Sequence, residues 1–284
     1  MSLRLSTDIL VYRTVTRRNI FLGLLLGALL LCSCRQVVNV DLNESASHVV
    51  IEGIVTDLPG PYTVRVTQTT NFFEPALSYP PVTDATVVIS DNTGSNDTLK
   101  EIAPGNYQTS TVQGVAGRSY QLTVTAQGKT YGGVSTIPNK VNIESFTSQP
   151  FRFLNGDPGY IVSVSFADPP ETTDYYRIVL HINSLPPDSV DGGSYLLYDD
   201  ELTNGTTMTE EIRIWQNIFP GDTVTADLLH IDKATYDYFR TLSGIVNGGI
   251  NAPASPANPN TNLSNGALGY FAAYATDTRK IILP

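Results

Sequence analysis

Short runs of alternating hydrophobicity, each ended by turn residues, fill the chain after His48. In the first run, Val49, Ile51 and Val55 lie on the same side of an extended backbone. This period of two predicts strands that bury one face only. Two such sheets must cover each other, which predicts a sandwich. The sequence therefore predicts a mainly β protein.

The predicted elements divide into two β domains. A break at Pro138-Asn139 separates a β-sandwich over 48–138 from a second antiparallel β domain over 139–284. The second domain contains one short helix near 232–247, because Asp232 is a good N-cap and Gly248-Gly249 is a stop signal. Residues 251–262 are rich in Asn, Pro, Ala and Ser and are predicted to form a coil.

The N-terminal segment has the order of a secretion signal. Arg13, Arg17 and Arg18 precede the apolar stretch 20–31. That stretch is shorter than the roughly 20 residues of a membrane-spanning helix and has the length of a signal-peptide core. The following Leu31-Cys32-Ser33-Cys34 resembles the lipobox of bacterial lipoproteins, in which acyl chains are attached to a cysteine.

Three boundaries follow from that resemblance. Residues 1–33 are predicted to be a lipoprotein signal peptide, Cys34 is the predicted lipidated residue, and 34–47 form a polar tether. The alternatives are a short anchor helix with two incidental cysteines, and a short strand around Val37–Val40. With lipid at Cys34, the protein is expected to be held at a membrane by its N-terminal acyl chains.

Charge and cysteine content exclude several classes of partner and site. The precursor has a net charge of −10, and residues 1–33 contain four arginines and one aspartate, so the remaining chain has a charge of −13. This balance argues against a nucleic-acid partner, which requires a basic surface. Cys34 is the only cysteine after residue 33, so disulfides and cysteine-based metal sites within the β domains are excluded.

Sequence motifs for catalysis or cofactor binding are absent. His48, His181 and His230 are each isolated, and His181 is interpreted as a strand residue with a satisfied hydrogen bond. The chain has no G-x-S-x-G elbow, P-loop or G-x-G-x-x-G turn. We therefore expect no enzyme activity, no cofactor and no bound metal, and the ligand is unknown.

Acidic groups leave two alternatives open. A glycoside hydrolase needs two carboxyl groups across its substrate, and acidic residues are frequent in the second half, at Asp199, Asp200, Glu201, Glu210, Glu211, Asp222, Asp227, Asp232 and Asp237. The plainer interpretation is that they keep strand ends soluble. Asp91, Asn92 and Asp97 are rich in oxygen but miss the calcium-loop spacing, so a turn is the simpler interpretation.

Aromatic residues also gather in the second half. They are Tyr175, Tyr176, Tyr195, Tyr198, Trp215, Tyr236, Tyr238, Tyr270 and Tyr274. For any single one of them a position in the core is expected. An exposed cluster of them would indicate a protein or sugar interface.

The order of motifs resembles known families. Val82–Ile89, then Gly105-Asn106-Tyr107, then Gly117–Val124 resemble the carboxypeptidase-regulatory-like domain, an Ig-like or transthyretin-like β-sandwich. From Val49–Asp57 to Asn265–Phe271, the chain is similar to a Bacteroidota lipoprotein family, domain of unknown function 4249.

This resemblance implies an outer-membrane lipoprotein found beside TonB-dependent receptors, and it implies no catalytic residues. Arg35-Gln36-Val37 follows Cys34 where surface lipoproteins carry acids, so the periplasmic and surface faces both remain open. The expected function is that of a binding or accessory partner of a TonB-dependent receptor in uptake. The alternatives are an envelope enzyme and a structural or adhesion module.

Overall fold

The computed structural model describes residues 47–70, 79–152, 156, 158–183, 196–214, 218–246 and 258–284. Residues 46–284 form one compact unit. The predicted signal peptide, Cys34 and nearly all of the tether lie outside the described residues, as does most of the predicted coil.

Fifteen strands and one helix are present in the described part of the chain. The helix, α1, spans Lys233–Val246. The strands are β1 (Val49–Thr56), β2 (Thr63–Gln68), β3 (Thr86–Asp91), β4 (Asn96–Thr98), β5 (Lys100–Ala103), β6 (Asn106–Gln108), β7 (Ser119–Ala126), β8 (Lys129–Thr136), β9 (Ile143–Arg152), β10 (Pro158–Ala167), β11 (Tyr175–Ile182), β12 (Leu196–Asp199), β13 (Thr207–Ile214), β14 (Thr223–Ile231) and β15 (Leu268–Ile282). The predicted class, mainly β with a single helix, is confirmed.

The strands form three sheets. The largest has eight strands in the order β12-β11-β14-β15-β1-β2-β6-β5. A four-stranded sheet, β4-β3-β7-β8, and a three-stranded sheet, β13-β10-β9, accompany it. Among these strand pairs β1 and β15 are parallel and the others are antiparallel.

The long final strand β15 connects the two halves of the largest sheet. Its residues 268–274 pair with β1, and its residues 275–282 pair with β14. The close approach to β1 requires glycine at Gly269, where φ is +90° and a Cβ would lie 2.1 Å from the carbonyl oxygen of Ile51. A side chain at this position would therefore break the parallel pairing.

Two hydrophobic cores lie side by side against the largest sheet. The first contains residues of β1, β2, β3, β7 and β8, and the second contains residues of β9, β10, β11, β13 and β14. Strand β15 belongs to both, through Phe271 and Ala273 in the first core and Ile281 in the second. The predicted split near 138–139 falls between the two cores, and the division into two domains stays a prediction.

The helix covers the other face of the largest sheet. Side chains alternate along a strand, so Tyr270 lies opposite Phe271. Tyr270 packs against Tyr238 and Phe239 of α1, with ring centroids 4.7 and 5.1 Å apart. The sheet is therefore covered by two smaller sheets on one side and by α1 on the other.

The predicted N-cap of the helix is confirmed. Asp232 Oδ1 accepts a hydrogen bond from the amide of Thr235 at 2.8 Å. Asp232 Oδ2 accepts from the hydroxyl of Ser135 at 2.6 Å and the amide of Thr136 at 3.1 Å, both on β8. One carboxylate thus starts the helix and ties it to the first core. No helix of the described residues has the length and apolarity to cross a membrane.

Candidate functional site

One face of α1 forms the first wall of a polar cleft. Lys233, Tyr236, Asp237 and Arg240 line this wall. Their spacing of three and four residues places them on the same side of the helix. Asp237 holds the two cations, with Oδ2 2.6 Å from Lys233 Nζ and Oδ1 3.4 Å from Arg240. The wall therefore carries charges of both signs in fixed positions.

The opposing wall comes from the end of β12 and the turn after it. Asp199, Asp200, Glu201 and Asn204 line this side, with further contributions from Thr173 and Tyr175. The cleft has a volume of about 400 Å³. This volume lies within the range of roughly 300–1,000 Å³ that is usual for small-ligand sites.

Tyr236 joins the two walls. Its hydroxyl donates a hydrogen bond to Asp199 Oδ2 over 2.7 Å, and its ring lies 4.9 Å from that of Tyr175. Burial, together with the neighbouring Asp199 carboxylate, raises the pKa of Tyr236 to about 12. The hydroxyl therefore stays protonated at neutral pH and keeps donating to Asp199.

A buried group of three carboxyl groups adjoins the cleft through Asp200. Carboxylate oxygens of Asp168, Asp174 and Asp200 lie within 4.8 Å of one another, and all three residues are buried. Among the described residues these are the atoms whose number and spacing could hold a metal ion. Tyr176 and Gly205 already donate hydrogen bonds to Asp168, at 2.6 and 2.8 Å.

His230 completes this buried group from the end of β14. Its Nδ1 lies 2.6 Å from the carbonyl oxygen of Asn139, which can only accept, so Nδ1 carries a proton. Its Nε2 lies 2.8 Å from Asp174 Oδ1, within hydrogen-bond distance. Thr172 donates to the other oxygen of Asp174 at 2.6 Å.

The pKa of Asp200 is raised above its ordinary value. Burial raises its pKa first, the neighbouring charges of Asp168 and Asp174 add to this, and the hydrogen bond from the amide of Asp174 opposes it. Chemically, the group is a compact internal hydrogen-bond network that joins the start of β11, the end of β14 and the turn beside the cleft.

The acidic residues that the sequence analysis singled out lie in different places in the structure. The cleft brings together Asp199, Asp200, Glu201 and Asp237. Glu210 instead hydrogen-bonds Tyr198, Asp222 accepts from the amide of Phe219 at 2.7 Å, and Asp232 is the helix cap. Glu211 is exposed on β13. The three consecutive acidic residues 199–201 therefore lie together in the cleft.

His181 and the predicted oxygen-rich loop have structural roles. His181 Nε2 lies 2.9 Å from Asp227 Oδ2 on the neighbouring strand, which confirms the predicted satisfied strand histidine. Asp91 Oδ1 accepts from the amides of Thr93 and Ser95 at 2.9 and 3.0 Å. The turn is confirmed at Asp91 and Asn92, whereas Asp97 lies on strand β4 and is buried.

The aromatic residues divide between core and cleft. Tyr176 is fully buried, and Tyr238 and Tyr270 pack between the helix and the sheet. Tyr175 and Tyr236 line the cleft. Tyr195 and Trp215 lie outside the described residues. Of the seven that the structure describes, Tyr176 and Tyr238 are buried and the other five are partly exposed, so the expectation of a core position is confirmed for these two.

Comparison with known proteins identifies the family. The family described as domain of unknown function (DUF4249) matches residues 35–280. The chain belongs to the DUF4249 family. Both walls of the cleft and the buried carboxyl group fall within the matched residues. No curated protein matches this DUF4249 chain.

Several site residues of this DUF4249 protein were not predicted from sequence. Asp168, Asp174 and His230 come from three separate strand ends, so no local spacing connects them. Lys233 and Arg240 flank Tyr236 and Asp237 at helical spacing. These polar side chains lie on one side of the predicted helix, so their spacing in the sequence could have indicated one wall of the cleft.

Proposed function

We propose that the protein is a lipid-anchored outer-membrane lipoprotein that binds a small polar ligand in the cleft between α1 and the turn after β12. It acts as a binding or accessory partner of a TonB-dependent receptor in uptake. The observation that carries the binding role is the cleft itself. Its lining converges from three chain segments, around residues 173–175, 199–204 and 233–240.

The N-terminal sequence supports the anchor. A positive flank, an apolar stretch and Leu31-Cys32-Ser33-Cys34 occur in the order of a lipoprotein signal. The family match starts at residue 35, directly after Cys34. This start favours Cys34 as the first residue of the mature chain.

The arrangement of the cleft favours binding over hydrolysis. A glycosidase needs two carboxyl groups open to opposite sides of its substrate bond. Asp199 is engaged by Tyr236 and Asp237 is engaged by Lys233 and Arg240. Asp200 is buried in the neighbouring network. Such fixed polar groups suit recognition of a ligand that remains intact.

Lipidation is tested by replacing each cysteine separately. The Cys34→Ala precursor should lose labelling by a palmitate analogue and should be released from the membrane fraction. The matched Cys32→Ala precursor should keep both the label and the membrane location. Continued labelling of Cys34→Ala through Cys32 contradicts the assignment.

The partnership is tested by affinity purification from the native host in mild detergent. The wild-type protein should recover a TonB-dependent receptor, and the unlipidated Cys34→Ala protein should recover much less of it. If the wild-type protein recovers no receptor, the proposed partnership is wrong.

A further inference from the structure

The walls of the cleft supply hydrogen-bond donors and acceptors in close alternation. Asp199, Glu201 and Asp237 offer acceptor oxygens, while Lys233 and Arg240 offer donors. Asn204 offers both. A ligand hydroxyl both donates and accepts, so a ligand with several hydroxyl groups can satisfy both kinds of partner at once.

The carboxylate of Glu201 is available for such a ligand. Glu201 is exposed, and no described residue forms a hydrogen bond or ion pair with its side chain. Its backbone amide donates to Asp199 Oδ1 at 3.3 Å, and both residues line the cleft.

The tyrosine pair adds an apolar surface to this polar lining. Tyr175 and Tyr236 lie with ring centroids 4.9 Å apart at an interplanar angle of 41°. The negative face of an aromatic ring attracts polarised C–H groups as well as cations. A sugar ring presents C–H groups on one face and hydroxyl groups at its edge, and both kinds of contact are offered here.

The charges of the cleft disfavour ionic ligands of either sign. Four carboxyl residues and two cations line it, so an anionic ligand would meet an excess of like charge. The aromatic faces already have cations nearby, with Lys233 Nζ 6.0 Å from the Tyr175 centroid and Arg240 5.9 Å from the Tyr236 centroid. A cationic ligand at the rings would be repelled by both.

We infer that the cleft binds a neutral polyhydroxylated ligand, a short oligosaccharide, through the Tyr175–Tyr236 pair and the carboxylate of Glu201. This inference rests on the proposed binding role and names the ligand class of that same site. One sugar ring lies against the tyrosines, and its hydroxyl groups bond to Glu201, Asn204 and the cationic side chains of α1.

The test is direct binding by the full mature protein in mild detergent. It is applied to an array of neutral oligosaccharides, from disaccharides to hexasaccharides, and each hit is measured by calorimetry. Spermidine and a sulfated oligosaccharide are the cationic and anionic comparison probes. At least one neutral oligosaccharide should bind, more tightly than either charged probe.

Matched variants locate the binding. Tyr175→Ala and Glu201→Gln should each weaken binding about tenfold or more, as expected for residues that carry contact energy. Tyr79→Ala and Glu144→Gln alter an exposed tyrosine and an exposed glutamate away from the cleft, and should leave affinity unchanged. Glu201 is on the surface, so its variant tests the site even if Tyr175→Ala fails to fold.

Three results overturn the inference: no neutral oligosaccharide binds, a hit is unaffected by both cleft variants, or a charged probe binds more tightly in the cleft. The receptor experiment distinguishes this failure from failure of the proposed partnership. Recovery of a receptor by a protein that binds no sugar overturns the ligand class alone. Sugar binding without receptor recovery overturns the partnership alone.

Discussion

At the scale of single residues, buried carboxylates determine how this protein responds to acid. Asp97 is buried and accepts four hydrogen bonds, from the amides of Ser110, Thr111 and Val112 and from the hydroxyl of Ser110. These bonds outweigh burial and lower the pKa of Asp97 to about 2. A carboxylate with this many donors is stabilised in its charged form.

Asp97→Asn should reduce the free energy of unfolding by about 2–3 kcal/mol at neutral pH. The pKa of Asp97 is lowered on folding from its ordinary value of about 3.9, so the ionised carboxylate stabilises the fold at pH values above 3.9. The loss should be constant above pH 5. It should diminish as the pH falls toward 2, where the wild-type carboxylate becomes protonated.

Urea unfolding across this pH range measures the effect, with the exposed Asp84→Asn as the control. Surface substitutions usually change stability by less than about 0.5 kcal/mol. An equal loss in both variants, or a loss that is independent of pH, contradicts the role assigned to Asp97.

Asp200 has the opposite dependence on pH. Its pKa is raised by burial and by the charges of Asp168 and Asp174, so its stabilising contribution is complete below about pH 4 and is lost as the pH rises. Asp200→Asn keeps an acceptor for the amide of Asp174 without taking a charge. The variant should therefore gain stability over the wild type between pH 4 and pH 8.

The same unfolding measurements at a series of pH values test this expectation. Glu201→Gln, which changes the adjacent exposed residue, should show no such trend. A difference between Asp200→Asn and the wild type that is flat or falls with pH would contradict it.

At the scale of secondary-structure elements, α1 depends on a single cap that also connects two parts of the chain. Asp232→Ala should reduce stability by about 1–2 kcal/mol through the lost N-cap alone, and further through the lost bonds to Ser135 and Thr136. Asparagine is an equally good N-cap, but its amide nitrogen cannot accept the bond from the Thr136 amide. Asp232→Asn should therefore lose less stability than Asp232→Ala while remaining below the wild type.

Thermal unfolding followed by circular dichroism compares the two variants. Equal losses in Asp232→Ala and Asp232→Asn would contradict a stabilising role for the cap bond to Thr235.

The helix also shows how far sequence reasoning reaches at this scale. Its cap was predictable, because Asp232 is a local signal; the predicted stop, Gly248-Gly249, lies outside the described residues. Its buried side was less predictable. Tyr236, Phe239, Leu242 and Val246 recur near the helical period, yet Val246 is exposed, whereas Phe239 and Tyr238 are buried. Which side turns inward depends on Tyr270 and on Arg177, whose guanidinium lies 4.0 Å from the Phe239 ring centroid, and neither is near α1 in sequence.

At the scale of the whole molecule, strand β15 couples the two cores. Phe271 is fully buried in the first core, and the same strand continues into the second. Phe271→Ala should cost about 3–5 kcal/mol. The amides of β10, in the second core, should lose protection from hydrogen exchange at the same urea concentration as those of β7 in the first.

Hydrogen exchange read by mass spectrometry measures both strands in one experiment. Val134→Ala, on an exposed part of β8, should leave both protection profiles close to wild type. Loss of protection in β7 with β10 unchanged would show that the cores unfold independently.

Alternating runs such as Tyr120–Ala126 predicted the strands well, because burial of one face is a local pattern. The parallel pairing of β1 with β15 was not predictable in this way. Consecutive strands are usually neighbours, so sequence reasoning placed the last strand within the second domain only. The buried network of Asp168, Asp174 and His230 escaped prediction for the same reason, since distant pairing brings its members together.

The pairing of Val50 with Leu268 also has a consequence for biosynthesis. Strand β1 leaves the ribosome about 218 residues before its parallel partner β15. Neither core is complete until β15 has emerged. Unlike a chain whose N-terminal domain folds early in synthesis, this polypeptide completes neither core before β15 is translated, so truncation ahead of β15 leaves both cores unfinished.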